Sequence, residues 1–177
     1  MFKGDIAITG KHAYYMKVLS DRDNNSERLF NRYIDVFMNA AIIGFIYGEK
    51  EDIDKDSDYK DETARIFYDV INREKQNLEF IYRIIMLLDD TKKLSKEERI
   101  ERAFKDDVYS DRKDKKEANL EIFYSYVRGG ISFLYDKLNG INIDDRITNI
   151  KEFVEDFNSE FFLRKYLEDI DYEEDVV

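Results

Sequence analysis

The most apolar run in the chain, VFMNAAIIGFIY from Val36 to Tyr47, is broken only by Asn39. A bilayer span needs ~20 apolar residues. This run is shorter and is bracketed closely by Asp35 and Glu49, so it predicts no membrane crossing. Ala40, Gly44 and Gly48 fall four apart, which puts them on one face of a helix. Phe37, Ile42, Phe45 and Ile46 supply bulk elsewhere on it. The pattern predicts a helix from Glu27 to about Tyr47, with Ser26 as N-cap and Gly48 as C-cap. A ridge without side-chain bulk lets a second helix approach closely, from the same chain, a second copy or a partner. The glycines make no phosphate cradle, because they do not join a strand to a helix and no Lys-Ser/Thr follows.

The remaining pattern is also helical. A short extended piece, Asp5 to Ile8, is followed by Thr9 as the cap of a helix to about Leu19. The turn formers SDRDNNS make a loop. Beyond the acidic loop GEKEDIDKDSDYKD, the residues Ala64, Phe67, Val70, Ile71, Leu78, Ile81, Ile85 and Leu88 recur at helical spacing. They predict one long helix from Asp61, or two nearly collinear ones with a break near Glu74 to Gln76. Ser95-Lys96-Glu97-Glu98 has capping-box spacing and starts a short helix to about Phe104. After the charged segment KDDVYSDRKDKKEA, a helix from Asn119 to Leu138 is interrupted or sharply packed at Gly129-Gly130, and Asn139-Gly140 ends it. Ile143, Ile147, Ile150, Phe153, Val154 and Phe157 form the stripe of a helix starting near Asp144. A last turn or two covers Glu160 to Leu167. The fold expected is all-α: a single-domain helical bundle of six or seven helices over residues 1–170, with an acidic frayed tail at 171–177.

Composition sharpens this picture. The chain has 177 residues, no Pro and only 7 Gly, so nothing forces helix interiors to break. With 13 Phe and 13 Tyr it has core volume despite 39% charged residues. No Cys and a single His exclude disulfides, thiolate metal sites and two-histidine metal sites, and no cofactor motif is present. The start, MFKGDIAITG, is not an apolar leader, and the expected location is the cytoplasm. The net charge is −11; from Ile141 onward twelve acidic residues face four basic ones, so −8 of it lies there. That charge disfavours direct binding to nucleic-acid backbones.

Asp35-Val36-Phe37, Ala40-Ala41, Gly44-Phe45 and Gly48 together resemble a motif of small accessory proteins of bacterial DNA phosphorothioation systems, which mark DNA with backbone sulphur and restrict unmarked invaders. The resemblance covers this stretch alone and implies a defence-island accessory protein rather than a catalytic mechanism.

Residues with chemical capability are sparse. Asp52, Asp54, Asp56 and Asp58 alternate as in a calcium loop, but the sixth position is Ser57 rather than Gly and the twelfth is Thr63 rather than Glu. A solvated acidic loop is the plainer reading. His12 has the intrinsic pKa of a general base, yet no nucleophile or orienting partner can be paired with it. Glu97, Glu98 and Glu101 share a short helix and lack histidines to complete a metal set. Among the tyrosines, Tyr124 and Tyr126, beside Arg128 and the Gly129-Gly130 pair, are the first candidates for interface anchors. The expectation is a non-catalytic interaction or regulatory subunit of a phage-defence or DNA-modification locus, with a protein partner or a homodimer. The alternative is an acidic DNA mimic that inhibits a nucleic-acid-binding defence enzyme.

Overall fold

A computed structural model describes residues 2–20, 29–55, 58–139 and 143–158. In chain order they form β1 (Ile6–Thr9), α1 (Lys11–Ser20), α2 (Tyr33–Tyr47), β2 (Thr63–Ile66), α3 (Tyr68–Arg73), α4 (Lys75–Leu88), α5 (Lys96–Phe104), a 3₁₀ turn at Ser110–Arg112, α6 (Lys113–Leu138) and α7 (Ile143–Phe157). The fold is predominantly helical, with one small sheet. The chain divides into two compact units between Asp136 and Lys137, and α7 belongs to the second.

The sheet corrects the helix expected from Asp61. β1 and β2 pair antiparallel, with Ile6 opposite Ile66 and Ile8 opposite Ala64. Ile6, Ile8, Ala64 and Ile66 are buried while Thr63 and Arg65 point outward, the alternation of a half-buried strand. Ala64 and Phe67 fit a helical template three residues apart. The chain instead buries Ala64 and leaves Phe67 exposed as the N-cap of α3. Helix α1 likewise begins after Thr9, which is strand, because Gly10 turns the chain with φ +69°. Neither α1 nor α3 is capped from its own sequence. The Asp54 carboxylate accepts the Lys11 N–H at 2.7 Å, and the Asp5 carboxylate accepts the Tyr68 N–H at 2.9 Å. Remote aspartates thus satisfy orphan donors at both helix starts.

Helix α2 starts at Tyr33, with Arg32 extended before it; the expected cap, Ser26, lies outside the described residues, but residues 29–32 are not helical. Gly48 ends α2 in the left-handed region at φ 72°, and the Glu49 N–H reaches the Gly44 carbonyl at 2.8 Å. The break between α3 and α4 falls at Glu74, where the spacing predicts it. Helix α6 starts at Lys113, six residues before the expected Asn119, and passes Gly129-Gly130 without interruption. Its first turns are charged, with Asp114 at the N-terminus and Lys113 near Glu117 at 3.7 Å, which supports a helix that apolar periodicity cannot reveal. The segment Glu160 to Leu167 and the acidic tail lie outside the described residues.

The core of the first unit is aromatic where α2, α4 and α6 meet. The Phe123 ring lies 5.9 Å from that of Phe37 and 5.6 Å from that of Tyr82, with Met16, Ile34, Leu78 and Ile85 also buried. Helix α5 begins with a full capping box: the Ser95 hydroxyl accepts from Glu98 N–H at 3.2 Å, and Glu98 accepts from Ser95 N–H at 2.9 Å. Replacing Ser95 with Ala is expected to cost about 1 kcal/mol in urea unfolding, and Ser95→Asp to restore most of it.

Candidate functional site

The small-residue ridge of α2 meets the glycine pair of α6. A Cβ on Gly44 would overlap the carbonyl of Tyr126 and come within 3.0 Å of the Gly130 nitrogen. One on Gly130 would overlap the carbonyl of Ala40 and lie 2.9 Å from the Gly44 nitrogen. The two backbones are therefore in direct contact, which only missing side chains permit. Gly129 faces a different neighbour: a Cβ there would lie 2.8 Å from the Lys50 nitrogen. The close approach of the helices lays the segment after Gly48 across α6. Gly48 has no neighbour for a Cβ within 4 Å, and its left-handed turn starts that segment.

Residues 49–54 act as a strap. The Glu51 N–H donates to Ser125 at 3.1 Å, and Arg128 Nε donates to the Glu51 carbonyl at 2.8 Å. Arg128 is buried and also pairs with Glu121. Two ionic centres hang from this strap.

In the first, the Glu51 carboxylate meets Lys11 Nζ at 2.7 Å and His12 Nε2 at 2.8 Å. His12 is fully buried, and burial, the largest influence, pulls its pKa below the ordinary 6.5 despite the carboxylate beside it. The neutral ring donates from Nε2 to Glu51, leaving Nδ1 buried without a hydrogen-bond partner. Burial alone would raise the Glu51 pKa; Lys11 and His12 hold it below the usual value. Because the folded state depresses the His12 pKa, its stability is fully present above about 6.5 and is lost as pH falls below that value, where the unfolded chain binds more protons. With only one His in the chain, this titration has a single imidazole origin. A melting temperature that drops between pH 7.5 and 5.5, with the drop flattened in His12→Leu, is the expected result.

In the second centre, the Asp89 carboxylate is buried at the end of α4. It accepts from Tyr126 Oη at 2.7 Å, Lys50 Nζ at 3.0 Å, Arg102 Nη1 at 3.0 Å and Thr91 Oγ1 at 2.8 Å. Burial pushes its pKa upward, but these donors outweigh it and bring the value down to about 2. Arg102 also donates from Nε to the Met86 carbonyl at 2.7 Å and from Nη2 to the Asp89 carbonyl at 2.6 Å. Carbonyls that end a helix otherwise lack partners, so Arg102 closes α4. Lys50 lies over the Tyr126 ring, 4.3 Å from its centre.

The expected anchors fall inside this network. Tyr126 is only 5% exposed and serves Asp89 rather than a surface. Tyr124 is half-buried, and burial raises its pKa to about 12. Of the alternating aspartates, Asp54 caps α1, and Asp56 lies outside the described residues. Glu98 belongs to the capping box, and Glu101 pairs with Lys105 and Arg112, each at 3.1 Å. Among the described residues no group of three or more His, Cys, Asp or Glu is placed to hold a metal ion. No described helix is long and apolar enough to cross a membrane. Glu51, Lys50, Asp89 and Arg102 were not singled out by sequence. The available signal was an arginine on the apolar side of α5, next to Ala103, and an aspartate abutting the apolar end of α4.

The curated proteins and the solved structures contain no match to this chain. A family model described as DNA sulphur modification system-associated protein 4 does match, over residues 6–160. That agrees with the resemblance carried by Asp35 to Gly48 and covers most of the sequence; the chain belongs to this family of proteins associated with DNA sulphur modification.

Proposed function

We propose that the chain works without chemistry of its own, as a protein–protein interaction or regulatory subunit of a bacterial DNA-modification or phage-defence locus in the cytoplasm. Family membership supports the association with a DNA sulphur modification system. The observation that carries the non-catalytic part is the placement of His12: fully buried, neutral, and bonded to a carboxylate that Lys11 also holds. A general base must reach a substrate proton, and this one faces its own fold. Asp89 and Arg102 are spent in the same way on closing α4.

The DNA-mimic alternative draws less support. Mimicry needs uninterrupted rows of carboxylates. On the described helices Lys or Arg stands one turn from an acid in pairs such as Arg73–Asp69 at 2.8 Å and Lys105–Glu101 at 3.1 Å. The net charge disfavours a direct nucleic-acid role, which leaves a protein as the partner.

Complementation tests the reading. A strain lacking this gene should regain sulphur modification and phage exclusion with His12→Leu, to the extent that the variant is folded. A folded His12→Leu chain that binds its partners normally yet restores neither activity overturns it.

A further inference from the structure

Four tyrosines outside the ionic centres lie in mutual contact within the first unit. Tyr14 and Tyr15 come from α1, Tyr59 from the turn at 58–61, and Tyr135 from α6. Their rings form two near-parallel pairs. Tyr14 and Tyr59 stack at 4.1 Å with planes 10° apart, and Tyr15 and Tyr135 at 3.9 Å and 13°. The pairs adjoin, with Tyr14 6.3 Å from Tyr135 and 6.0 Å from Tyr15. Aromatic pairs generally sit at about 4.5–7 Å, offset or edge to face, as Phe123 does against Phe37 and Tyr82. The tyrosine pairs are closer and flatter. The Tyr14 hydroxyl hydrogen-bonds with that of Tyr59, so these two rings point the same way with their ortho carbons side by side.

The chain has no Cys and no Trp, which leaves tyrosine as its readiest one-electron donor. A tyrosine that loses an electron also releases its phenolic proton and becomes a phenoxyl radical. Two such radicals side by side join through their ortho carbons. The hydrogens on those carbons then move to the oxygens and restore both phenols. The net change is a loss of two electrons and two protons, which one molecule of hydrogen peroxide takes up to become two of water. Coupling also needs the rings to tilt toward each other, because a parallel stack holds the carbons beyond bonding distance. Tyr15 and Tyr135 are both fixed on helices. Tyr59 is 37% exposed and sits on a turn, where it meets an oxidant and has the freedom that a helix lacks.

We propose that Tyr14 and Tyr59 are an oxidative modification site, where a peroxide-driven haem oxidant of the peroxidase class joins the two rings carbon to carbon and fastens the 58–61 turn to α1. The turn leads into β2, and β1 leads through Gly10 into α1, so the bond staples the end of the sheet where Thr9 pairs with Thr63. A covalent closure there restricts the unfolded chain as a disulfide does, in a protein that has no Cys to form one.

The test treats dilute full chain with hydrogen peroxide and a haem peroxidase, and maps its peptides by mass spectrometry. The expected product is a single chain lighter by two hydrogen atoms, fluorescent as dityrosine, with the Tyr14 and Tyr59 peptides joined. It should melt higher than the untreated chain. Tyr14→Phe and Tyr59→Phe remove only a hydroxyl and should each abolish this product, with circular dichroism unchanged. Tyr68 and Tyr109 are the controls: at 48% and 53% they are more exposed than Tyr59, but they touch no other tyrosine ring among the described residues. Tyr68→Phe and Tyr109→Phe should leave the yield as it is. Dityrosine that forms mainly between chains, or through Tyr68 or Tyr109, means that exposure rather than stacking decides, and overturns the proposal. So does a chain that forms none, or a yield indifferent to Tyr59→Phe.

Discussion

Adding one methyl group at Gly130 should destabilise the protein by at least about 3 kcal/mol and lower its melting temperature by about 10 °C. The new Cβ would overlap the carbonyl of Ala40, and the atom in its way is backbone, which cannot rotate aside as a side chain would. Helices α2 and α6 must separate, and the strap across α6 moves with them. Hydrogen exchange should report this beyond the mutated helix. The Glu51 N–H, bonded to Ser125, and the Lys11 N–H, bonded to Asp54, are expected to lose protection together. Gly4→Ala is the control, since a Cβ there meets nothing within 4 Å. Gly48→Ala meets no atom either but must hold φ 72°, so it should cost about 1 kcal/mol. A Gly130→Ala chain that melts with the wild type would contradict the contact.

The second large effect is expected at Asp89. Removing its carboxylate by Asp89→Ala leaves Arg102, only 3% exposed, and Lys50 without their shared counter-charge. Breaking a buried ion pair from one side typically costs about 3–5 kcal/mol, and urea unfolding of the variant should show a loss of that size. Tyr126→Phe removes one neutral donor from the same carboxylate and should cost less, about 1–2 kcal/mol. The acid limb gives an independent check. Asp89 has a depressed pKa, about 2 against an ordinary 3.8, so its stabilisation is present above pH 4 and fades toward pH 2. Asp89→Asn should remove that part of the acid dependence while leaving the His12 transition below pH 6.5 in place.

Local periodicity made most of the helices legible. The break at Glu74, the capping box at Ser95 and the left-handed Gly48 were all readable from residues close together in sequence. Strand β2 was not, because four residues with Ala64 and Ile66 inward satisfy a helical template almost as well as an alternating one. What decides for a strand is its partner Ile6–Thr9, more than fifty residues away. The start of α6 was hidden for a different reason. KDKKE holds its helix by charge pairing rather than by an apolar stripe.

The site was half legible. The ridge of Ala40 and Gly44 and the pair Gly129-Gly130 stood out separately as places with missing bulk, and the structure sets Gly44 against Gly130 and Ala40 against Gly130. The ionic centres left no such trace. Glu51 to His12 and Lys50 to Asp89 each span 39 residues, and Arg128 reaches Glu51 across 77. Such pairings depend on which loops the fold brings together, and in a chain this rich in charge no spacing rule selects them.

The most direct measurement of the central claim is native co-purification. The tagged chain, expressed at natural levels with the rest of its locus, is isolated gently and the particle weighed. A stoichiometric complex with at least one other component of the sulphur-modification system, retained at physiological salt, is the expected result. A chain recovered alone, at the mass of one or two copies, would contradict its role as an interaction subunit.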